Sequence, residues 1–397
     1  KGVRLDALRG ITLVAYLFFA SICFCTTFPP IAESRGLKEL SMREESLSFL
    51  KALLEAPSPS GYEQPAQRVW RDYVSSFADT VTSDRHGNAI AAINPGGKPR
   101  VMLAGHCDEL GFMINYINDQ GFLNFLAIGG HDVAIVPGRR VTIHTANGPV
   151  KGVIGKRAIH LMTQQERDDP KPKIEGYWID IAVKSKDEAK ELVAIGDPVT
   201  YNVAFEELRN GIAVSRAFDD KAGAFVVAEA LRLIAENRAG LKAAVYAVST
   251  VQEEVGLRGA QTSAFGIDPD VGIAVDVTHA TDSPDMDKRK AGEVNLGGGP
   301  AISRGANISP IVFDRLVDAA KKNEIAYQVE GAPRGTGTDA NVIQLTRSGV
   351  ATGLVSLPLR YMHTTVETIA LSDMEQSAQM LATFCADLTP ETSLIPQ

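Results

Sequence analysis

Apolar and polar positions alternate along this chain in two different rhythms. Residues 42–56 repeat at helical spacing, with Leu47, Leu50, Leu53 and Leu54 on one side. Ser41 as N-cap and Glu44 three residues on predict a capping box there. A Pro/Ser/Gly cluster follows, and a second helix is expected near Gln64. Short apolar runs at 88–93 and 100–104 read as strands around the turn NPGGKP. Later runs at 244–251, 271–275 and 351–359 are Val- and Ala-rich, as strands buried on both faces are. Helical repeats stand between them at 216–238 and at 310–322, the latter behind Ser309 and Pro310. A closing helix is expected from Ser372, with Glu375 completing a second capping box.

Between 113 and 206 the rhythm shortens. The runs 122–126, 140–144, 150–153, 178–183 and 197–201 alternate with turns, and 186–192 is the one helical stretch. The expected architecture is therefore α/β: a mixed, mostly parallel sheet with helices on both faces, built from 37–112 and 207–397, with a small β-rich domain inserted at 113–206.

The chain has 397 residues, 45% of them hydrophobic, enough for a full core. A net charge of −8 argues against nucleic acid as a partner. Cys23, Cys25, Cys107 and Cys385 form neither a disulfide framework nor a zinc-finger spacing. Residues 1–36 stand apart: Lys1, Arg4 and Arg9 precede an apolar run from Ile11 to Cys25, in the manner of a signal segment. The run is short for a membrane span, which takes about 20 apolar residues. Two readings stand, a targeting segment or an extension ahead of a working start at Met42. The first implies export or anchoring, the second a cytoplasmic protein.

The chemistry gathers where strands end. GHCDELG (105–111) places His106 and Asp108 two apart, so on an extended backbone they share a direction. VQEEVG carries the adjacent Glu253 and Glu254. Neighbouring residues cannot share one orientation, so the pair invites one metal ligand and one general base. Asp276 stands at the end of the 271–275 run, His363 follows the 351–359 run, and Asp219 lies just before the helix of the 216–238 stretch. Each alone has an ordinary explanation; an acid at a helix N-terminus suits the dipole. Together they fall at the carboxyl ends of the strands, where such sheets carry their crevice. That many acids in one place repel one another unless cations are present, and mixed His/carboxylate donors suit Zn²⁺, Co²⁺ or Mn²⁺ rather than Ca²⁺. His131, His144 and His160 lack partners at ligand spacing and read as structural or surface residues, with His131-Asp132 as the one pair to keep. GTGTDAN (335–341) lacks the Lys of a phosphate loop.

GHCDELG, AFDDKAG, VQEEVGLRGA, AVDVTHA, GTDA and LPLRYMHTTVE resemble, in order and spacing, the motifs of the co-catalytic metallopeptidases that form tetrahedral (TET) aminopeptidase assemblies. That family includes glutamyl aminopeptidases and proteins labelled endoglucanase or cellulase M. The resemblance runs from about Met42 to about Leu388 and departs at Lys221, a position expected to vary. It implies two divalent metals per subunit, with Asp219 bridging, His106 and Asp276 completing one site, and Glu254 and His363 the other. It implies Glu253 as general base, Asp108 as the partner that fixes the His106 tautomer, and a cis peptide at Asp219–Asp220. Arg360 and Asp339 are candidate substrate-binding residues. The inserted domain would be PDZ-like and mediate dimerisation, within a dodecamer acting on peptides.

Three other readings compete. A di-metal acyl-amino-acid deacylase or carboxypeptidase needs a cationic clamp, for which Arg334 and Arg360 are available. A glycosidase needs two carboxyls about 5–9.5 Å apart across a sugar, which adjacent Glu253 and Glu254 serve poorly. A non-catalytic metal-stabilised scaffold has no use for a spare Glu253.

Overall fold

The computed structural model describes residues 42–168 and 172–396. The expectation for residues 1–36 lies outside them. Among the described residues no helix is long and apolar enough to cross a membrane.

Two units with separate cores are built from the chain. The larger holds an 11-stranded sheet. Its strands are β1 (Thr80–Ser83), β2 (Ala89–Ile93), β3 (Arg100–His106), β10 (Glu206–Glu207), β11 (Ile212–Ser215), β12 (Ala244–Thr250), β13 (Val271–His279), β14 (Ala301–Gly305), β15 (Gln328–Ala332), β16 (Ala351–Arg360) and β17 (Glu367–Ala370). The main order is β1-β2-β12-β3-β13-β16-β17-β11-β10, with β14 and β15 branching from β16. Only the centre, β12-β3-β13-β16, runs parallel, as does the β14/β15 pair. The flanks are antiparallel, because short connections such as β1–β2 and β16–β17 cannot make a crossover. The sheet is therefore mixed rather than mostly parallel, and parallel pairing is confined to its centre, whose strands end at the site, and to the β14/β15 branch.

The long helices are α1 (Glu44–Glu55), α2 (Gln64–Val74), α3 (Phe218–Glu236), α4 (Arg258–Ile267), α5 (Pro310–Lys322) and α6 (Leu371–Ala386). α3 crosses the sheet centre, packing on β3, β12 and β13. It comes close because Gly105 has no side chain: a Cβ there would lie 2.3 Å from the Gly223 carbonyl carbon. α1 buries Phe49, Leu50, Leu53 and Leu54. Its N-cap is Arg43 without a side-chain cap, and Glu44 is the first helical residue; Ser41 of the expected capping box lies outside the described residues. The second box does not form. β17 runs straight into α6, Ala370 is the N-cap, and the Leu371 amide donates to Gly211 O instead.

The inserted segment closes into a six-stranded barrel, β4-β5-β8-β7-β6-β9, comprising Gly111–Ile117, Leu123–Ile128, Trp178–Asp180, Gly148–Gly155, Arg140–Thr145 and Pro198–Tyr201 in that order. Phe112, Ile114, Phe125, Ile143, Ile179 and Val199 fill it. Gly111–Ile117 is the strand that the sequence pattern hides. A bulge between Ile114 and Tyr116 breaks its period of two.

Candidate metal centre

Three central strands deliver their ends to one place. β3 ends on His106. β12 ends at Thr250, and the turn after it, through Gln252 at φ 55, presents Glu253 and Glu254. β16 ends at Arg360, and Tyr361 and His363, both at φ 62, turn the chain back into β17. Asp276 is not at a strand end, as the apolar run suggests, but inside β13, which continues to His279 because its ladder with β16 persists to His279↔Leu359. The ladder with β3 stops at Ala274↔Ala104, and Asp276 lies where those two strands part. The start of α3 is kinked: Asp219 and Asp220 have non-helical backbone angles and a cis peptide joins them.

The side chains converge. Asp219 Oδ1 lies 3.3 Å from His106 Nε2, and Asp219 Oδ2 lies 3.2 Å from His363 Nε2. One carboxylate therefore faces two imidazoles, one oxygen to each. Glu253 Oε2 is 3.7 Å from His106 Nε2 and Glu254 Oε1 is 3.8 Å from His363 Nε2. His106 with Asp219 and Glu254, and His106 with Asp220 and Asp276, form two groups whose donor atoms lie within 4.8 Å of one another. Buried polar atoms are normally hydrogen-bonded. Here His106 Nε2, near Asp219 but outside hydrogen-bond alignment, and Glu254 Oε1 are buried without a partner. Two unpartnered donor atoms, one N and one O, aimed into the same space suit a divalent cation.

The electrostatics agree. Burial pushes Glu253 up to about 10 and Asp276 up to about 8, against the pull of His106. Burial and the charge of Asp219 hold Glu254 well above the usual range. Burial opposes a proton on His106, yet the charge of Glu253 and the nearness of Asp108 and Asp219 keep its imidazole well above its ordinary value. Burial would also raise Asp219, but His106 and His363 hold it below the usual carboxylate range. Carboxylates so crowded ionise together only beside added positive charge.

Asp108 is fully buried. Its Oδ1 accepts from Glu253 N at 3.0 Å, and its Oδ2 accepts from Glu254 N at 3.2 Å and Ser60 Oγ at 2.6 Å. It grips the backbone of the glutamate pair. The nearest partner of His106 Nδ1 is the Asp108 backbone oxygen, 3.0 Å away, with the carboxylate at 3.4 Å. Arg360 is committed to Asp282 through two contacts of 2.8 and 2.7 Å. Asp339 is buried beside the centre: Oδ2 accepts from Thr250 Oγ1 at 2.6 Å, and Oδ1 has no partner. Burial pushes it up to about 6. Arg334 is exposed at the rim of a cavity of about 250 Å³ that also has Thr278, Ser303, Glu330 and Ser356 on its walls. Asp276 pairs in register with Ser356, so this cavity adjoins the centre.

Several participants escape sequence reading. Asp220 is buried and accepts from the backbone of His106 (3.1 Å) and Gly223 (2.9 Å). Glu367 is buried and accepts from Asp219 N and His363 N. Its signal is an acid opening a strand, Glu367–Ala370, that is otherwise apolar enough to be wholly buried. A barrel loop also reaches the site: a Cβ on Gly130 would lie 3.7 Å from His363 Nδ1. The neighbouring His131 is structural; it stacks on Phe112, and its Nε2 meets Gly111 O at 2.9 Å. Asp132 caps the Ala134 amide.

Known proteins resemble this arrangement over most of the chain. A family model described as M42 glutamyl aminopeptidase matches residues 87–380. Lysyl aminopeptidase of Pyrococcus furiosus is 36% identical over 344 residues, 86% of this chain and 97% of its own. The TET aminopeptidase of a marine sediment Thaumarchaeota archaeon superposes with a TM-score of 0.83 at 33% identity, covering 87% of this chain and 97% of that one. The Pyrococcus horikoshii TET1 peptidase, described as assembling into a tetrahedron or a large octahedral shell, gives 0.77 at 32% identity over 86% and 100%.

Proposed function

The chain belongs to the M42 aminopeptidase family, and from that premise we propose that it is a dinuclear metalloaminopeptidase releasing N-terminal residues from peptides. The observation that carries this reading is the Asp219 carboxylate, with one oxygen toward His106 and the other toward His363. Asp219 would be shared, His106 and Asp276 would complete one site, and Glu254 and His363 the other. The N/O donor set favours Zn²⁺ or Co²⁺, then Mn²⁺.

When bound, the two ions would polarise the scissile carbonyl and acidify water. The chain's own residues do the rest. Asp108 holds the Glu253 and Glu254 amides and so fixes where the two carboxylates stand. Glu253, not needed as a ligand, accepts the water proton at a carboxylate oxygen and returns it to the leaving amine. Burial of His106, Asp108, Asp219, Glu253 and Asp276 shields their charges from solvent, while Glu254 and His363 sit on the more open side. The cavity near Asp276 would receive a substrate side chain. Arg360 and Asp339 remain candidates for substrate binding, Asp339 through its unpartnered Oδ1 and Arg360 only if it leaves Asp282. The barrel is proposed to pair subunits, with assembly into a closed shell as for the horikoshii relative.

Hydrolysis of aminoacyl anilides, each with a free and an acetylated N-terminus, tests the reading. Cleavage of the free-amine forms alone, abolished by a chelator, is expected. Cleavage of acetylated forms would instead favour a deacylase, and chelator-resistant cleavage of a β-glucan a glycosidase.

A further inference from the structure

We propose that Glu367 is a positioning residue: its carboxylate fastens the backbone of Asp219 to that of His363 and thereby sets the spacing of the second metal site. The inference rests on the dinuclear reading above.

Glu367 opens β17, which lies between β11 and β16. Both neighbours lead into ligands. β11 pairs Ser215 with Glu367 and continues to Asp219. β16 pairs Arg360 with Thr368 and continues to His363. The two ligands are far apart in sequence but leave the sheet on either side of this glutamate. Its Oε2 accepts from Asp219 N at 3.1 Å and its Oε1 from His363 N at 3.0 Å. Glu367 is 3% exposed, so water does not compete for these bonds.

Both ligand turns pass through left-handed backbone, at Ala217 on one side and at Tyr361 and His363 on the other. Non-glycine residues hold such angles only when surrounding contacts over-determine them. One carboxylate gripping both turns supplies such a contact and couples them. The side chains then meet with Asp219 Oδ2 and His363 Nε2 3.2 Å apart. Asp108 does the same for Glu253 and Glu254. Because Glu254 and His363 share the second site, that site has two buried carboxylates, each spanning two backbone amides.

A purely structural role, satisfying two buried N–H groups, makes a different prediction. The test is a titration of metal-free protein with Co²⁺, followed by calorimetry and by the cobalt absorption bands, on wild type, Glu367→Gln, Glu367→Asp, His363→Ala and the Gln/Ala double variant. Glutamine keeps one acceptor and turns an NH₂ toward the other amide. The expected result is two ions bound by wild type, and in Glu367→Gln a loss of about 10–100-fold in affinity for one of them, with a clearly smaller loss for the other, which shares only Asp219. Glu367→Asp, which keeps the charge but reaches one amide, should fall between. In the His363→Ala background Glu367→Gln should cost nothing further. If Glu367→Gln does not fold, the aspartate variant carries the same comparison. Unchanged affinity for both ions, equal loss of both, or an undiminished loss in the His363→Ala background would overturn the inference. Fewer than two ions in wild type would instead overturn the dinuclear reading itself.

Discussion

Beside the candidate metal centre lies a buried ion cluster whose removal gives a calculable result. Glu109 is 3% exposed and Lys221 0%. Glu109 Oε1 accepts from Lys221 Nζ at 2.9 Å and from Ser58 N at 3.0 Å, and Oε2 pairs with Arg216. Arg216 and Lys221 flank Asp219, and Glu109 follows Asp108, so the cluster ties the two segments that carry the centre. In Glu109→Gln two buried cations would lose their counter-charge and share one amide oxygen, besides the backbone oxygens of Leu54 and Ala56 for Lys221 and of Glu55 for Arg216. Breaking one partner of such a pair costs about 3–5 kcal/mol. Linkage gives a similar figure. Burial would raise Glu109, but Arg216 and Lys221 hold it down to about 2 from 4.5, which corresponds to about 3 kcal/mol at pH 7. The sign follows: a depressed carboxylate stabilises fully above pH 4.5 and loses that contribution as pH falls toward 2. Protonated Glu109 resembles glutamine, so the gap between wild type and variant should close over the same window. Burial also pulls Lys221 down to about 8 from 10.5, so its desolvation cost is present below pH 8 and relieved between 8 and 10.5. The variant should therefore regain more stability than wild type on going from pH 7 to pH 10. Urea unfolding measures all three, with metal saturating at pH 7 and above and metal-free wild type and variant compared at acid pH, where the ligands are protonated. A variant within about 0.5 kcal/mol of wild type at pH 7, or a gap that survives at pH 2.5, would refute the reasoning.

Other consequences are simpler. Glu253→Gln should keep the fold and the metal content, because Asp108 holds its backbone amide, while turnover falls about 10²–10⁴-fold, or about 3–5 kcal/mol in barrier; near-normal kcat would exclude Glu253 as the base. Chelation should lower the melting temperature as well as abolish activity, since it leaves the buried acids without their counter-charge; a chelated protein that melts unchanged would contradict this. Gly105→Ala forces a Cβ to within 2.3 Å of the Gly223 backbone. Overpacking of that kind costs about 1–3 kcal/mol, and thermal unfolding of the metal-loaded variant would show whether α3 can retreat.

How much of this was legible beforehand depended on the kind of signal. The central strands stood out because strands buried on both faces are continuously apolar, and the acids and histidines at their ends contrast with them. Asp276 shows the limit of that reading: one charged residue ends an apolar run on paper, but the ladder with β16 carries the strand past it. β4 is hidden by its bulge, and the capping box expected at Ser372 does not form because β17 runs straight into α6. Glu367 and Asp220 were illegible as site residues for a different reason. They act through backbone amides of residues distant in sequence, a relation with no periodicity to betray it. The Asp108 carboxylate was found for its nearness to His106, yet its closer bonds are to the glutamate pair.

The central claim is that Asp219 is shared between two cations. The most direct test is an anomalous difference map from crystals grown with Co²⁺ and measured at the cobalt edge. The account predicts two peaks, one on either side of the Asp219 carboxylate, the first beside His106 and Asp276 and the second beside Glu254 and His363. A single peak at full cobalt occupancy, or two peaks of which only one touches Asp219, would contradict it.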